Sequence, residues 1–222
     1  MKKHLSHSSV PKIVILAFII ISSTPFYSSA QSPAIKPAME KLKTGIQFEN
    51  NGQYHKAIKN YQQALALFKK LRTGDAIAVS LKRIGDVYHA LGQYEKSIEN
   101  YLQALTLFRK LGMEDAIVIT LNNIGTVYHL LGQYEKSIEN YQQALALFRK
   151  LGKEDQVAAS LQNIGMVYDF RGQYGKAMEK FQQALVIARK LGQEDEIALS
   201  LDKIGTVYNY WGQYDKAMEN YQ

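Results

Sequence analysis

The chain has 222 residues, a formal net charge of +7 and 46% hydrophobic residues. Size alone allows one or two domains, and the absence of cysteine excludes a disulfide framework, a thiolate nucleophile and a cysteine metal site. All four prolines (Pro11, Pro25, Pro33 and Pro37) fall before Ala38, so nothing beyond that point forbids a helix.

Residues 1–30 read as a secretory signal peptide. Lys2, Lys3 and Lys12 supply a basic end, Ile13–Ile21 is an unbroken apolar run, and Ser28-Ser29-Ala30 offers small residues for cleavage. The run of nine residues is short of the roughly 20 that span a bilayer. The alternative is an uncleaved anchor, the only route to a membrane that the sequence offers. Export to a periplasmic or extracellular compartment is expected. Without this segment the remainder holds 24 basic and 20 acidic residues, a net +4. Opposite charges are interspersed, as in Glu95-Lys96 and Glu135-Lys136, which fits solvated helix faces. A nucleic-acid surface needs one-signed clusters, and none is present.

Residues 31–37 form a short polar linker, and residues 38–222 are a repeat array. Leu91–Tyr101 returns letter for letter at Leu131–Tyr141, and Gly-Gln-Tyr also begins at Gly52, Gly172 and Gly212, a step of forty residues. A second motif, Ile-Gly-x-Val-Tyr, begins at Ile84, Ile124, Ile164 and Ile204; the first unit keeps its outline as Thr44-Gly45 with Phe48. A fixed period of this size means stacked supersecondary units. The spacing predicts helix pairs at 37–50 with 54–71, 75–91 with 94–111, 115–131 with 134–151 and 155–171 with 174–191. A last pair is cut short, 195–211 with 214–222. This gives four full repeats and a truncated fifth.

Spacing of three and four puts Leu81, Ile84, Tyr88 and Leu91 on one stripe, and likewise Tyr94, Ile98, Tyr101, Leu105 and Phe108. Asp75, Asp115, Asp155 and Asp195 stand at helix starts, where they can accept orphan N–H groups and face the positive dipole end. Arg109-Lys110, Arg149-Lys150 and Arg189-Lys190 stand at helix ends, and Gly112, Gly152 and Gly192 supply the stop. Gly85, Gly125, Gly165 and Gly205 each cost about 1 kcal/mol in a helix interior. Close helix approach would compensate, with Ala57, Ser97, Ser137, Ala177 or Ala217 opposite and the aromatics at 61, 101, 141, 181 and 221 filling the gap beside them.

Leu81, Ile84-Gly85, Tyr88, Gly92, Tyr94, Ser97, Tyr101 and Ala104, recurring at forty-residue offsets, make residues 38–222 resemble the tetratricopeptide repeat (TPR) family. The forty-residue period resembles the longer-helix variants of Leu-Gly-Asn-repeat proteins and kinesin light chains, and the proline usual after the second helix is missing. The resemblance implies an all-α fold, an α-solenoid of antiparallel helix pairs in a right-handed superhelix.

No catalytic constellation is present, so no enzyme is expected. Ser80, Ser160 and Ser200 precede leucines within helices without a Gly-x-Ser-x-Gly elbow, and no glycine cluster forms a phosphate loop. No cofactor is indicated. His89 and His129 share one rung position, but stacked helices sit roughly 8–10 Å apart, and zinc ligands converge at about 2 Å. With Asp169 and Asn209 they form a polar edge and no metal site.

The residue before each Ile-Gly rung is Lys43, Arg83, Asn123, Asn163 and Lys203. The resemblance assigns these positions to a concave groove formed by the first helices, where Asn, Lys or Arg contacts a bound peptide. Asparagine can bond both N–H and C=O of an extended chain, and basic rungs on either side favour carboxylates. Val79, Ile119, Ala159 and Leu199, with Ala90, Leu130, Phe170 and Tyr210, add apolar surface of the kind that marks contacts. The alternative is a merely solvated face.

The function expected is an exported scaffold that binds a protein or peptide segment. The alternative is the recognition half of a peptidase-like enzyme whose catalytic domain is elsewhere. The short last helix predicts that Val207, Tyr208, Tyr210 and Trp211 are incompletely covered, an apolar end that frays, pairs with a second copy or is covered by chain beyond Gln222.

Overall fold

The computed structural model describes residues 33–221, with side chains through Asn220. The segment expected to be a signal, residues 1–30, lies outside the described residues. Ten α-helices and no strand occur among the described residues. They are α1 (Lys36–Asn50), α2 (Tyr54–Leu71), α3 (Gly74–Ala90), α4 (Tyr94–Leu111) and α5 (Glu114–Leu130), followed by α6 (Tyr134–Lys150), α7 (Glu154–Phe170), α8 (Tyr174–Leu191), α9 (Glu194–Tyr210) and α10 (Tyr214–Tyr221). The chain divides into two compact units at Thr73 and Gly74. The first contains the α1–α2 pair. The second contains α3–α10, in which each helix packs on its sequence neighbours, as in an α-solenoid.

The interior glycines have a sharper reason than close approach of small residues. A Cβ on Gly125 would stand 2.8 Å from Tyr141 Cδ1, and one on Gly165 would stand 2.6 Å from Phe181 Cε1. The aromatic ring lies over the glycine itself. The small residue plays a separate part: Ser97 Oγ donates to the Gly85 carbonyl at 2.9 Å and Ser137 Oγ to that of Gly125 at 2.7 Å. The α3–α4 and α5–α6 pairs are thus locked by a ring on a glycine and a hydroxyl on its carbonyl, while Ala57 and Ala177 leave α1–α2 and α7–α8 with the ring alone.

The turns are locked as well. Lys96, Lys136, Lys176 and Lys216 place Nζ 5.3–5.5 Å from the ring centroids of Tyr88, Tyr128, Tyr168 and Tyr208, and Lys56 does the same to Phe48 in the first unit. Such a contact is worth about 0.5–1 kcal/mol at exposed sites. Within a helix pair, Lys150 at the end of α6 reaches Glu114 at the start of α5 at 2.7 Å, and Lys190 of α8 reaches Glu154 of α7 at 2.6 Å.

Two sequence expectations need correction. The starting aspartates do not cap by side-chain hydrogen bonds, since Met113, Lys153 and Gln193 hold the N-cap positions of α5, α7 and α9 without one. Asp115 instead pairs with Lys153, and only Asp75 meets a backbone N–H, that of Ala76 at 2.9 Å. Val207, expected to be uncovered, is fully buried in a cluster with Phe181, Leu185 and Ile204. Tyr208 is half-buried, while Tyr210 and Trp211 are exposed.

Candidate functional site: the polar face of the first helices

Burying Leu81, Ile84 and Val87 on one side of α3 turns Lys82, Arg83, Asp86 and His89 to the other, where all four are half-buried. The same rotation holds in α5, α7 and α9, so Asn123, Asn163 and Lys203 follow Arg83 on successive first helices of the second unit, each half-buried. Lys43 is exposed on α1 of the first unit.

Asp86 is the centre of the densest polar cluster on this face. Its carboxylate accepts from Lys82 Nζ at 2.8 and 3.1 Å, from the Tyr101 hydroxyl at 2.8 Å and from Asn123 Nδ2 at 3.2 Å. An ionised carboxylate only accepts, so the Asn123 carboxamide must turn its N–H₂ toward Asp86 and keep its carbonyl oxygen for another donor. Asp86, His89, Tyr101, Asn123 and Thr126 enclose a cavity of about 120 Å³ between α3 and α5. Burial, reinforced by the charge on Asp86, pushes the Tyr101 phenol far above the ordinary tyrosine range. It stays protonated and donates.

One repeat on, the same hydroxyl finds a neutral partner. Thr126 Oγ1 donates to the Asn122 carbonyl at 3.1 Å and therefore accepts from the Tyr141 hydroxyl at 2.9 Å. Burial raises the Tyr141 phenol as well. In the following repeat the ring is Phe181 and the residue fifteen before it is Met166. The hydroxyl and its partner disappear together. The sequence carried this signal in the pairings Asp86 with Tyr101, Thr126 with Tyr141 and Met166 with Phe181, and composition-level reasoning about the rung alone missed it.

The far end of the face has a different character. Burial lifts the Asp169 carboxyl above its ordinary value, an effect that the nearby Lys203 ammonium partly opposes. Lys203 also lies 3.9 Å from Asp202. His129 packs edge-on against Phe170 with centroids 4.8 Å apart, its Nδ1 is buried without a partner, and burial lowers its proton affinity. Leu130, Phe170 and Tyr210 are all exposed along this margin, Phe170 by 67%. Among the described residues no group of three or more His, Cys, Asp or Glu could hold a metal ion.

The sequence model of the tetratricopeptide repeat matches residues 45–110 and 116–190, more than half of the chain. The chain belongs to the tetratricopeptide repeat family. Solved TPR-like structures agree in fold. BtubC (BKLC) from P. vanneervenii is 21% identical with a TM-score of 0.72, covering 84% of this chain and 86% of that one. A kinesin light chain repeat protein of Podosopora anserina is 20% identical with a TM-score of 0.72, covering 85% and 93%. A Rap protein solved in complex with Competence and Sporulation Factor is 21% identical with a TM-score of 0.63, covering 88% of this chain but 55% of that one. No curated protein matches the sequence. At these identities the likeness concerns the TPR fold alone.

Proposed function

We propose that this TPR array is an exported protein-interaction scaffold that holds an extended polypeptide segment against the polar face of α3, α5, α7 and α9. The observation that carries the reading is the Asp86–Tyr101–Asn123 cluster. It fixes the orientation of one carboxamide beside a small cavity, and a carbonyl oxygen held this way suits a backbone N–H of a bound strand. Half-buried Ile119 and exposed Leu130 and Leu199 supply neighbouring apolar contact. Arg83 and Lys203, toward opposite ends of the row, favour acidic groups in the ligand. The Rap structure with its bound factor shows that a protein of similar fold forms a complex, which supports the reading without supplying the ligand.

Export is proposed on the basic, apolar and small-residue pattern of residues 1–30. Amino-terminal sequencing of the protein recovered outside the cytoplasm should begin near Gln31; recovery only of an intact chain from the cytoplasm would count against it. For the binding role, peptides selected by display on the full-length chain should bind Asn123→Ala/Asn163→Ala at least tenfold more weakly, with helicity unchanged. Equal affinity for the double variant would refute the assignment of the face.

A further inference from the structure

One junction departs from the repeat at two neighbouring positions. Position 175 is glycine where the sister helices carry His55, Glu95, Glu135 and Asp215; position 211 is tryptophan where the others carry Asn51, Leu91, Leu131 and Arg171. At the preceding junction the corresponding pair is Glu135 with Arg171, joined at 2.7 Å. Here the ion pair is replaced by bare backbone beside an indole, and the two line an open cleft of about 330 Å³ with Gln173, Tyr174 and Lys176.

Packing does not account for Gly175. A Cβ there would meet no atom within 4 Å, its φ is not in the left-handed region, and the first turn of a helix favours the acid that three sister repeats carry. The space above it stays open. Its walls are aromatic: the Tyr174 ring lies 6.5 Å from that of Trp211, and Tyr210, outside the lining, backs Tyr174 with centroids 6.4 Å and planes 9° apart. Tyr174 and Trp211 are exposed by 66% and 48%.

The cleft also holds an unsatisfied acceptor. In two sister repeats Lys96 and Lys136 donate to Gln93 and Gln133 Oε1 at 2.9 Å. Lys176 keeps the equivalent ring contact with Tyr168, but Gln173 Oε1 is buried without a partner. No hydrogen bond holds this carboxamide, so it can turn toward a donor in the cleft. Flat aromatic walls select a ring, and an orphan carbonyl selects a ring that carries O–H or N–H. A guanidinium would also stack and donate, but this junction has lost its acid and retains Lys176 in the lining, which disfavours a cation.

We propose that the cleft between Tyr174 and Trp211 is a second binding site, distinct from the row Arg83, Asn123, Asn163 and Lys203, that takes a tyrosine or tryptophan side chain of a partner polypeptide, with its O–H or N–H bonded to the Gln173 carboxamide. Trp211 is the sole tryptophan of the chain, so it reports directly. N-acetyl-tyrosinamide titrated into the full-length protein, with excitation selective for tryptophan, should give a saturable shift of Trp211 emission. Gly175→Glu, which restores the residue of two sister repeats, should weaken that binding at least tenfold with an unchanged circular dichroism spectrum. N-acetyl-leucinamide should bind at least fivefold more weakly than the tyrosine probe. Trp211→Leu removes the reporter, so its loss of binding is read by the line widths of the ligand in NMR. Absence of a saturable shift, equal binding by Gly175→Glu, or tighter binding of N-acetyl-argininamide would each overturn the proposal.

Discussion

Substituting Gly125 by alanine should destabilise the array, although alanine is the better helix former. The added Cβ would lie 2.8, 2.9 and 3.1 Å from Cδ1, Cε1 and Cγ of Tyr141. Those atoms are near the root of a ring that is buried and tied by its hydroxyl to Thr126, so the ring cannot swing aside without losing that bond. Overpacking of this kind costs about 1–3 kcal/mol, against a gain of about 1 kcal/mol from helix propensity. The net expectation is a loss of about 0–2 kcal/mol from the difference of those two effects. The sign in a second background is more decisive than the size. In Tyr141→Leu the clash is relieved, and adding Gly125→Ala there should stabilise by up to about 1 kcal/mol. Urea denaturation followed by circular dichroism, run on all four proteins of the cycle, measures both steps. If Gly125→Ala stabilises the protein with Tyr141 intact, the ring-on-glycine account of the helix pairs is wrong.

Three further outcomes follow from particular residues. Lys110 occupies the position of Lys150 and Lys190, yet its counterpart at the start of the paired helix α3 is Gly74, where a Cβ would make only ordinary contact with Leu111 at 3.8 Å; Gly74→Glu should add about 0.2–1 kcal/mol in low salt, a gain that 1 M salt should largely remove. Arg72 ends α2 in the left-handed conformation with φ 55°, where the sister positions are Gly112, Gly152 and Gly192; Arg72→Gly should raise stability by about 1 kcal/mol in thermal or urea denaturation. Burial lowers the proton affinity of His129, so the unfolded chain takes up this proton first. The contribution of His129 is therefore complete above the unfolded value of about 6.5 and is lost as pH falls below it. His129→Asn, the residue found at position 209, should flatten that part of the stability profile; an unchanged acid slope would contradict the assignment.

The fold was legible because local signals repeat and agree. Glycine after three of the second helices (Gly112, Gly152 and Gly192), alternating stripes of Leu, Ile and Tyr, and a proline-free array all point to helix pairs, and the helices observed begin and end within about two residues of those expected, a normal margin for helix boundaries. The face carrying Arg83, Asn123, Asn163 and Lys203 was legible from helical rotation, because burying Leu81 and Ile84 fixes which way their neighbours turn. What joins these residues was not. Asp86 and Asn123 are 37 positions apart and meet across two helices, and a period read along the sequence shows equivalence between repeats without showing which equivalent positions touch. Val207 was misjudged for a related reason: its cover comes from the preceding repeat, where Ala177, Met178, Phe181 and Leu185 of α8 close over it. Gly175 and Trp211 show the reverse case, in which departures from the repeat, invisible to a consensus, create a local feature.

The most direct test of the account is a hydrogen-exchange footprint on the full-length chain, with and without a saturating peptide selected by display. Polypeptide binding on the polar face should slow exchange in α3, α5, α7 and α9 around Arg83, Asn123, Asn163 and Lys203, and leave α4, α6 and α8 nearly unchanged. Protection confined to the second helices of each pair, with the first helices unaffected, would contradict it.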